Sequence, residues 1–181
     1  MAQGRREIKG LLDAHGVRPT KKLGQNFLAD PNLVDRIVRT AGVGEGDQIL
    51  EVGAGTGTLT RALADTGAFV LSYETDRRLE PILSETLEGS TVDLRFEDVM
   101  KADLNQVLTD GVWTMVANLP YNIGTPLLLD VLRHVPAVTR LVVMVQREVA
   151  DRLLADPGSR TYGVPSIVVA LHASARLAFT V

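Results

Sequence analysis

Gln48-Ile49-Leu50-Glu51-Val52-Gly53-Ala54-Gly55-Thr56-Gly57 reads as a short apolar strand that runs straight into a turn with glycine at every second position. Helical spacing resumes at once, from Leu59 to Asp65. Strand, glycine turn and helix in immediate succession are the opening of a nucleotide-type binding unit. Further strands follow at Phe69–Glu74, Val92–Phe96, Trp113–Ala117 and Arg140–Gln146, with a sixth expected over Ala175–Val181. Helical segments separate them, near 77–87, 104–108, 125–132, 148–154 and 163–173. Upstream, residues 6–15 have weak helical character, and Asp30-Pro31 supplies a cap and a first-turn proline for a helix ending at Gly42. Strands alternating with helices imply an α/β fold with a mostly parallel central sheet and helices on both faces. Ligands in such folds bind beyond the carboxyl ends of the strands. The glycine turn, Glu74, Asp98 and Asn118 all fall at those ends.

Composition narrows the chemistry. The chain has 181 residues, enough for one domain with a real core, and 45% are apolar. It has no cysteine, so a disulfide framework, a thiol nucleophile and a cysteine zinc site are all excluded. His15, His134 and His172 lack metal-ligand spacing, and no metal site is expected. No apolar run is long enough to span a membrane and the start lacks a signal core, so a cytoplasmic protein is expected; a monomer is expected as well. Net charge is −3, but it is unevenly spread. Residues 1–40 carry eight Lys/Arg against four acids, and the remainder carries 11 against 18. A basic arm on an acidic body suits phosphate tracking or, equally, a solvated tail. Residues 1–28 are accordingly read as a basic arm and entrance loop with few apolar anchors, ordering on ligand binding, and 29–181 as the catalytic domain.

The glycines at 53, 55 and 57 depart from the dinucleotide fingerprint, since Thr58 stands where its last glycine belongs. The spacing is that of S-adenosylmethionine (SAM)-dependent methyltransferases, in which the glycines let backbone pass close to the ligand. Glu74 lies 19 residues past Gly55, where an acid can accept from both ribose hydroxyls; a surface glutamate at a strand end is the plain alternative. Asp98 suits an adenine amino group or a cap on the next short helix. Asn118-Leu119-Pro120-Tyr121 offers an acceptor for amino hydrogens and a ring to stack on a base, or else a strand end with a proline turn and a packed tyrosine. In the first reading the motif positions an exocyclic amino nitrogen for methylation, and no strong base is needed.

The set Gln25-Asn26-Phe27-Leu28, Glu51–Gly57, Glu74, Glu97-Asp98 and Asn118–Ile123 resembles the ribosomal RNA adenine N6,N6-dimethyltransferases. Leu119, the stretch Val143–Leu153 and Tyr162-Gly163 are similar to the small-subunit, kasugamycin-sensitivity branch rather than the antibiotic-resistance branch. The resemblance implies a Rossmann-like class I methyltransferase. Its cofactor is SAM, and its substrate is a pair of adjacent adenines near the 3′ end of 16S RNA in the 30S subunit. It implies cofactor contacts from Gln25, Asn26, Leu28 and Gly53, and from Gly55, Glu74, Asp98 and Asn118. It gives Asn118, Leu119, Pro120 and Tyr121 the target adenine, and sets Phe27 over the entrance. Family members continue past the equivalent of Val181 with a seventh strand and a helical RNA-docking domain, so the chain is expected to fold and bind SAM but dock RNA weakly. A ribosome-assembly binding factor, or another adenine-N6 or amide methyltransferase, are the alternatives. The intact glycine turn with Glu74 and Asn118 argues against the first, and Leu119 with the 25–28 stretch against the second.

Overall fold

A computed structural model describes residues 3–19, 27–119 and 123–181. Five strands form one sheet: β1 (Gln48–Val52), β2 (Phe69–Tyr73), β3 (Val92–Arg95), β4 (Trp113–Asn118) and β5 (Val138–Met144). Their order is β3-β2-β1-β4-β5, and every neighbouring pair is parallel. The reversal of winding falls between β1 and β4, so the crevice beyond their ends is the expected ligand position. β1 is buried from Ile49 through Val52, as a central strand covered on both faces must be.

Alternate residues of each strand feed opposite faces. Leu50, Val52, Leu71 and Met115 pack with Leu127 and Val131 of α6 (Gly124–His134). Ile49, Val70 and Val116 pack with Val34 and Ile37 of α2 (Pro31–Ala41) and with Leu63 of α3 (Thr58–Ala64). The ends of α2 follow its sequence. Asp30 accepts from the Asn32 N–H at 2.9 Å, Pro31 opens the first turn, and Gly42 ends the helix at φ 58°. Among the described residues no helix is long and apolar enough to cross a membrane.

Two expectations change. The N-terminal segment is better anchored than its charge suggests. In α1 (Arg5–Ala14), Ile8 and Leu12 are buried, as is Val17 beyond it, against Leu79, Ile82 and Leu83. The Gln3 amide ties this helix to the sheet's helices, accepting from the Thr58 hydroxyl at 2.7 Å and donating to the Thr86 hydroxyl at 3.0 Å. Three well-placed apolar residues suffice for a helix of this length, although the average over the segment is polar.

The sixth strand expected over Ala175–Val181 does not form. Those residues lie beyond α8 (Val164–His172) without a ladder. Phe179 packs toward the α2 face instead, with the Arg36 guanidinium 4.0 Å from its ring centroid, while Leu177 and Val181 stay exposed. The alternating apolar pattern is a local signal, and strand pairing also needs a neighbour in register.

One core residue is unusual. Glu51 is buried under α3, where Ser72 donates to Oε2 at 2.7 Å. Thr60 faces the same carboxyl, yet neither its hydroxyl nor Oε1 completes a bond of good geometry. Burial pushes the Glu51 pKa up to about 7, against the Ser72 and Thr60 hydroxyls, with the Glu74 charge adding a smaller upward push. An unfolded glutamate ionises near 4.5, so the folded state holds a proton that the unfolded state has lost. This contribution to stability is therefore full below about pH 4.5, falls as pH rises toward about 7, and is flat above. Glu51→Gln should remove that slope. In urea titrations at about pH 8 it should gain on wild type by up to about 3 kcal/mol relative to its position at acid pH. A constant difference between the two proteins across this range would contradict the assignment.

Candidate active site

A cavity of about 480 Å³ opens at the carboxyl end of the sheet. The glycine turn after β1 forms its floor. Gly53, Gly55 and Gly57 hold φ of 85°, 59° and 82°, in the left-handed region where other residues are strained. Gly53 N–H donates to the Tyr73 carbonyl at 2.8 Å, and Gly57 N–H closes the turn on the Ala54 carbonyl at 2.9 Å.

The three glycines do different jobs. Gly53 and Gly55 line the cavity. A Cβ on Gly55 would come within 3.1 Å of the Phe27 ring, so this glycine lets the ring lie against the turn. Gly57 faces α4 (Glu80–Thr86): a Cβ there would stand 3.0 Å from Thr86 Cγ2 and 3.1 Å from Leu83 Cδ2. It is a packing glycine between α3 and α4, which spacing alone does not reveal.

Glu74 directly follows β2 in the cavity wall and is 7% exposed. Its Oε2 accepts from the Gly55 N–H at 2.8 Å, and its Oε1 accepts from the N–H groups of Thr75 at 2.8 Å and Asp76 at 2.9 Å. Burial pushes its pKa up, the three backbone donors pull it down, and the Asp76 charge adds a small upward push. The group is thus a buried acceptor whose backbone donors favour the ionised form.

Beyond β3 the expectation for Asp98 divides. Its Oδ1 accepts from the Met100 N–H at 3.1 Å, capping the short 3-10 turn Val99–Lys101. It does not line the cavity, whereas its neighbours Glu97 and Val99 do. The cap alternative is the one the geometry carries, because an aspartate before a helical turn meets an N–H two residues on.

Asn118 closes β4 and lines the cavity. The Leu119 N–H donates to the Met144 carbonyl at 3.1 Å, extending the pairing with β5 by one residue and presenting both positions to the cavity. Leu28 lines the same space, near Phe27. Gln25, Asn26, Pro120 and Tyr121 lie outside the described residues. The sheet thus brings together Leu28, Gly53, Gly55, Glu74, Asn118 and Leu119.

The cavity also has walls that the sequence reading did not assign. Met144, Gln146 and Arg147 line it from the end of β5, a position that the rule for parallel sheets points to. Arg5 reaches it from α1, and no pattern in the sequence marks that residue. No described histidine lines the cavity: His15 meets Glu85 at 3.0 Å and His134 meets Asp130 at 2.8 Å, both on outer surfaces. Among the described residues no cluster of three or more His, Cys, Asp or Glu has metal-binding geometry. The arrangement offers backbone close to a ligand, one buried carboxylate for hydroxyl donors, and one amide for an amino group.

The glycine turn makes a direct prediction. Gly57→Ala should cost about 1–3 kcal/mol, from the left-handed backbone and the contact with Leu83 and Thr86. The urea midpoint measures it, and an unchanged midpoint would show that α3 and α4 separate without penalty.

Residues 17–181 match the model of the family described as ribosomal RNA adenine dimethylase. The ribosomal RNA small subunit methyltransferase A of Rhodococcus erythropolis is 47% identical over 166 residues, covering 89% of this chain and 56% of that protein. The chain therefore spans less than two thirds of the length of this curated relative. A dimethyladenosine transferase of Plasmodium falciparum superposes with a TM-score of 0.69 at 31% identity, over 81% of this chain and 52% of that one. The 23S rRNA methyltransferase ErmE gives 0.63 at 31% identity, over 74% and 53%. With the family model matched from Val17 through Val181, across the glycine turn, Glu74 and Asn118, the chain belongs to the ribosomal RNA adenine dimethylase family.

Proposed function

We propose that this chain forms the catalytic part, centred on residues 29–181, of a SAM-dependent enzyme that dimethylates the N6 groups of two adjacent adenines near the 3′ end of small-subunit ribosomal RNA. The observation that carries this reading is one cavity with a buried carboxylate on one wall and the Asn118 amide on another, behind a glycine turn. Its 480 Å³ lies within the usual range for cofactor sites. The greater identity to the small-subunit relative than to the 23S enzyme, and Leu119 after Asn118, support the small-subunit target.

The cavity suits SAM on the character of its donors. Gly53 and Gly55 would take the amino-acid end, with Asn26 and Leu28 closing over it. Glu74 would accept from the ribose hydroxyls. The turn Glu97-Asp98-Val99 would border the adenine, with Asp98 fixing the turn by its cap. A carboxylate has about four acceptor sites, and backbone N–H groups occupy three of those on Glu74. One ribose hydroxyl therefore binds without rearrangement, and a second would displace the Gly55 N–H.

Bound SAM supplies a methyl group on a sulfonium, ready for transfer to a nucleophile. The chain's residues prepare that nucleophile. The lone pair of an adenine amino group is delocalised into the ring, and holding its hydrogens turns the pair out of conjugation. The Asn118 side-chain oxygen and the backbone carbonyl beside Pro120 would accept those hydrogens. Tyr121 would stack on the base and fix its plane. The nitrogen becomes acidic once methylated, so water can take the proton and no histidine is required. Catalysis is then chiefly orientation, which supplies several kcal/mol. The substrate would be met in the assembling 30S subunit in the cytoplasm, by a monomer.

Two substitutions test this reading. Glu74→Gln should weaken SAM binding by about 1.5–3 kcal/mol in calorimetry, since a charged acceptor is lost. Asn118→Ala should lower the rate of labelled methyl incorporation into unmethylated small subunits by about 100-fold, roughly 3 kcal/mol of orientation, with the unfolding midpoint little changed. SAM affinity unaffected at Glu74, or near wild-type turnover without Asn118, would remove that residue from the mechanism.

A further inference from the structure

We propose that the outer flank of α1, built on Arg5 and Lys9 with Arg6 beside them, is a docking surface for the phosphodiester backbone of the RNA strand that delivers the target base. The inference rests on the functional reading above, and it concerns a helix that precedes the family match at residue 17.

Three observations carry it. First, α1 is a fixed part of the site. Ile8 and Leu12 bury one stripe of the helix, and Gln3 bonds to Thr58 and Thr86 hold its start against α3 and α4. Second, Arg5 lines the cavity, and Lys9 follows one turn later, about 6 Å along the axis. Arg5, Arg6 and Lys9 are all exposed. Among the described residues none of the three has an acidic partner within ion-pair distance. Glu7, the acid between them, caps the helix start by accepting from the Gly4 N–H at 2.6 Å. Asp13 lies a further turn away from the cavity. Third, among the described residues the rest of the cavity lining repels phosphate. Asp30, Glu74 and Glu97 line it, and the other described cation there, Arg147, is held by Asp151 at 3.0 Å.

The class of anion follows from this layout. A single ligand carboxylate needs one cation, and a buried one serves best. Exposed cations that continue from the cavity lip along a helix suit a chain of phosphates, whose affinity comes from such neutralised contacts. The acidic body of the domain makes this flank the favourable approach for the strand.

The test compares wild type with the double variant Arg5→Gln/Lys9→Gln, and with the charge-keeping Arg5→Lys/Lys9→Arg. Glutamine is a good helix former, so α1 should persist, as circular dichroism can verify. The probe is a fluorescein-labelled RNA hairpin with two adjacent adenines in its loop, titrated by anisotropy at several salt concentrations. The glutamine variant should bind about fivefold or more weakly at low salt. Its slope of log affinity against log salt should be shallower by about 1.4, the value for two lost contacts on a single strand. The charge-keeping variant should match wild type, and SAM affinity should be equal in all three. Equal RNA affinity and slope in wild type and glutamine variant would overturn the proposal. So would wild type that binds no hairpin, or a loss confined to SAM binding, which would assign the flank to the cofactor. Failure of the functional reading itself would appear separately, as wild type that binds no SAM.

Discussion

The Glu74 carboxylate ties two turns of backbone to one point. It accepts from Gly55 in the turn after β1, and from Thr75 and Asp76 in the turn after β2. The first of these turns borders the crevice between β1 and β4, and the second lies beside it on the β2 side. A glycine turn left to itself has many conformations of similar energy, and ordering it carries a larger entropic penalty than ordering other residues. A buried carboxylate with three charge-assisted donors offsets that penalty and selects one conformation. The approach of Phe27 to Gly55 rests on it, while the Tyr73 carbonyl holds Gly53 beside it.

The same residue limits what the cavity wall has left to offer a ligand. Glu74 is desolvated by the fold and compensated by backbone donors, so its acceptor capacity is mostly engaged before a ligand arrives. A ligand that brings two hydroxyls has to trade against the Gly55 N–H. Glu51, 1% exposed one strand position before Val52, is a different case. It has one good donor and burial that favours its neutral form. Two acids close to one turn are thus held in different protonation tendencies by the number of donors each meets.

Much of this was legible in the sequence, for reasons that are local. A strand entering glycines, an acid at the next strand end and an asparagine at the fourth are each fixed by their place along the chain. Parallel pairing then carries them to one edge. What escaped was set by distant partners. Gly57 looks like its two neighbours in sequence, but its role depends on Leu83 and Thr86. Asp98 was divided between ligand and cap, and the choice depends on how the turn at 99–101 is wound. The segment 175–181 alternates like a strand, yet Phe179 finds Arg36 and the α2 face. Arg5 has the look of any surface arginine until α1 is packed beside the glycine turn.

In the proposed reaction this cavity orients an adenine amino group for methyl transfer. That role is tested most directly by nucleoside mass spectrometry of small-subunit RNA. Small subunits lacking the modification would be incubated with SAM and this protein. N6,N6-dimethyladenosine is expected at two adjacent positions near the 3′ end, forming about 100-fold more slowly when Asn118 is replaced by Ala. Methylation at another atom or base, or undiminished dimethylation without Asn118, would contradict that role.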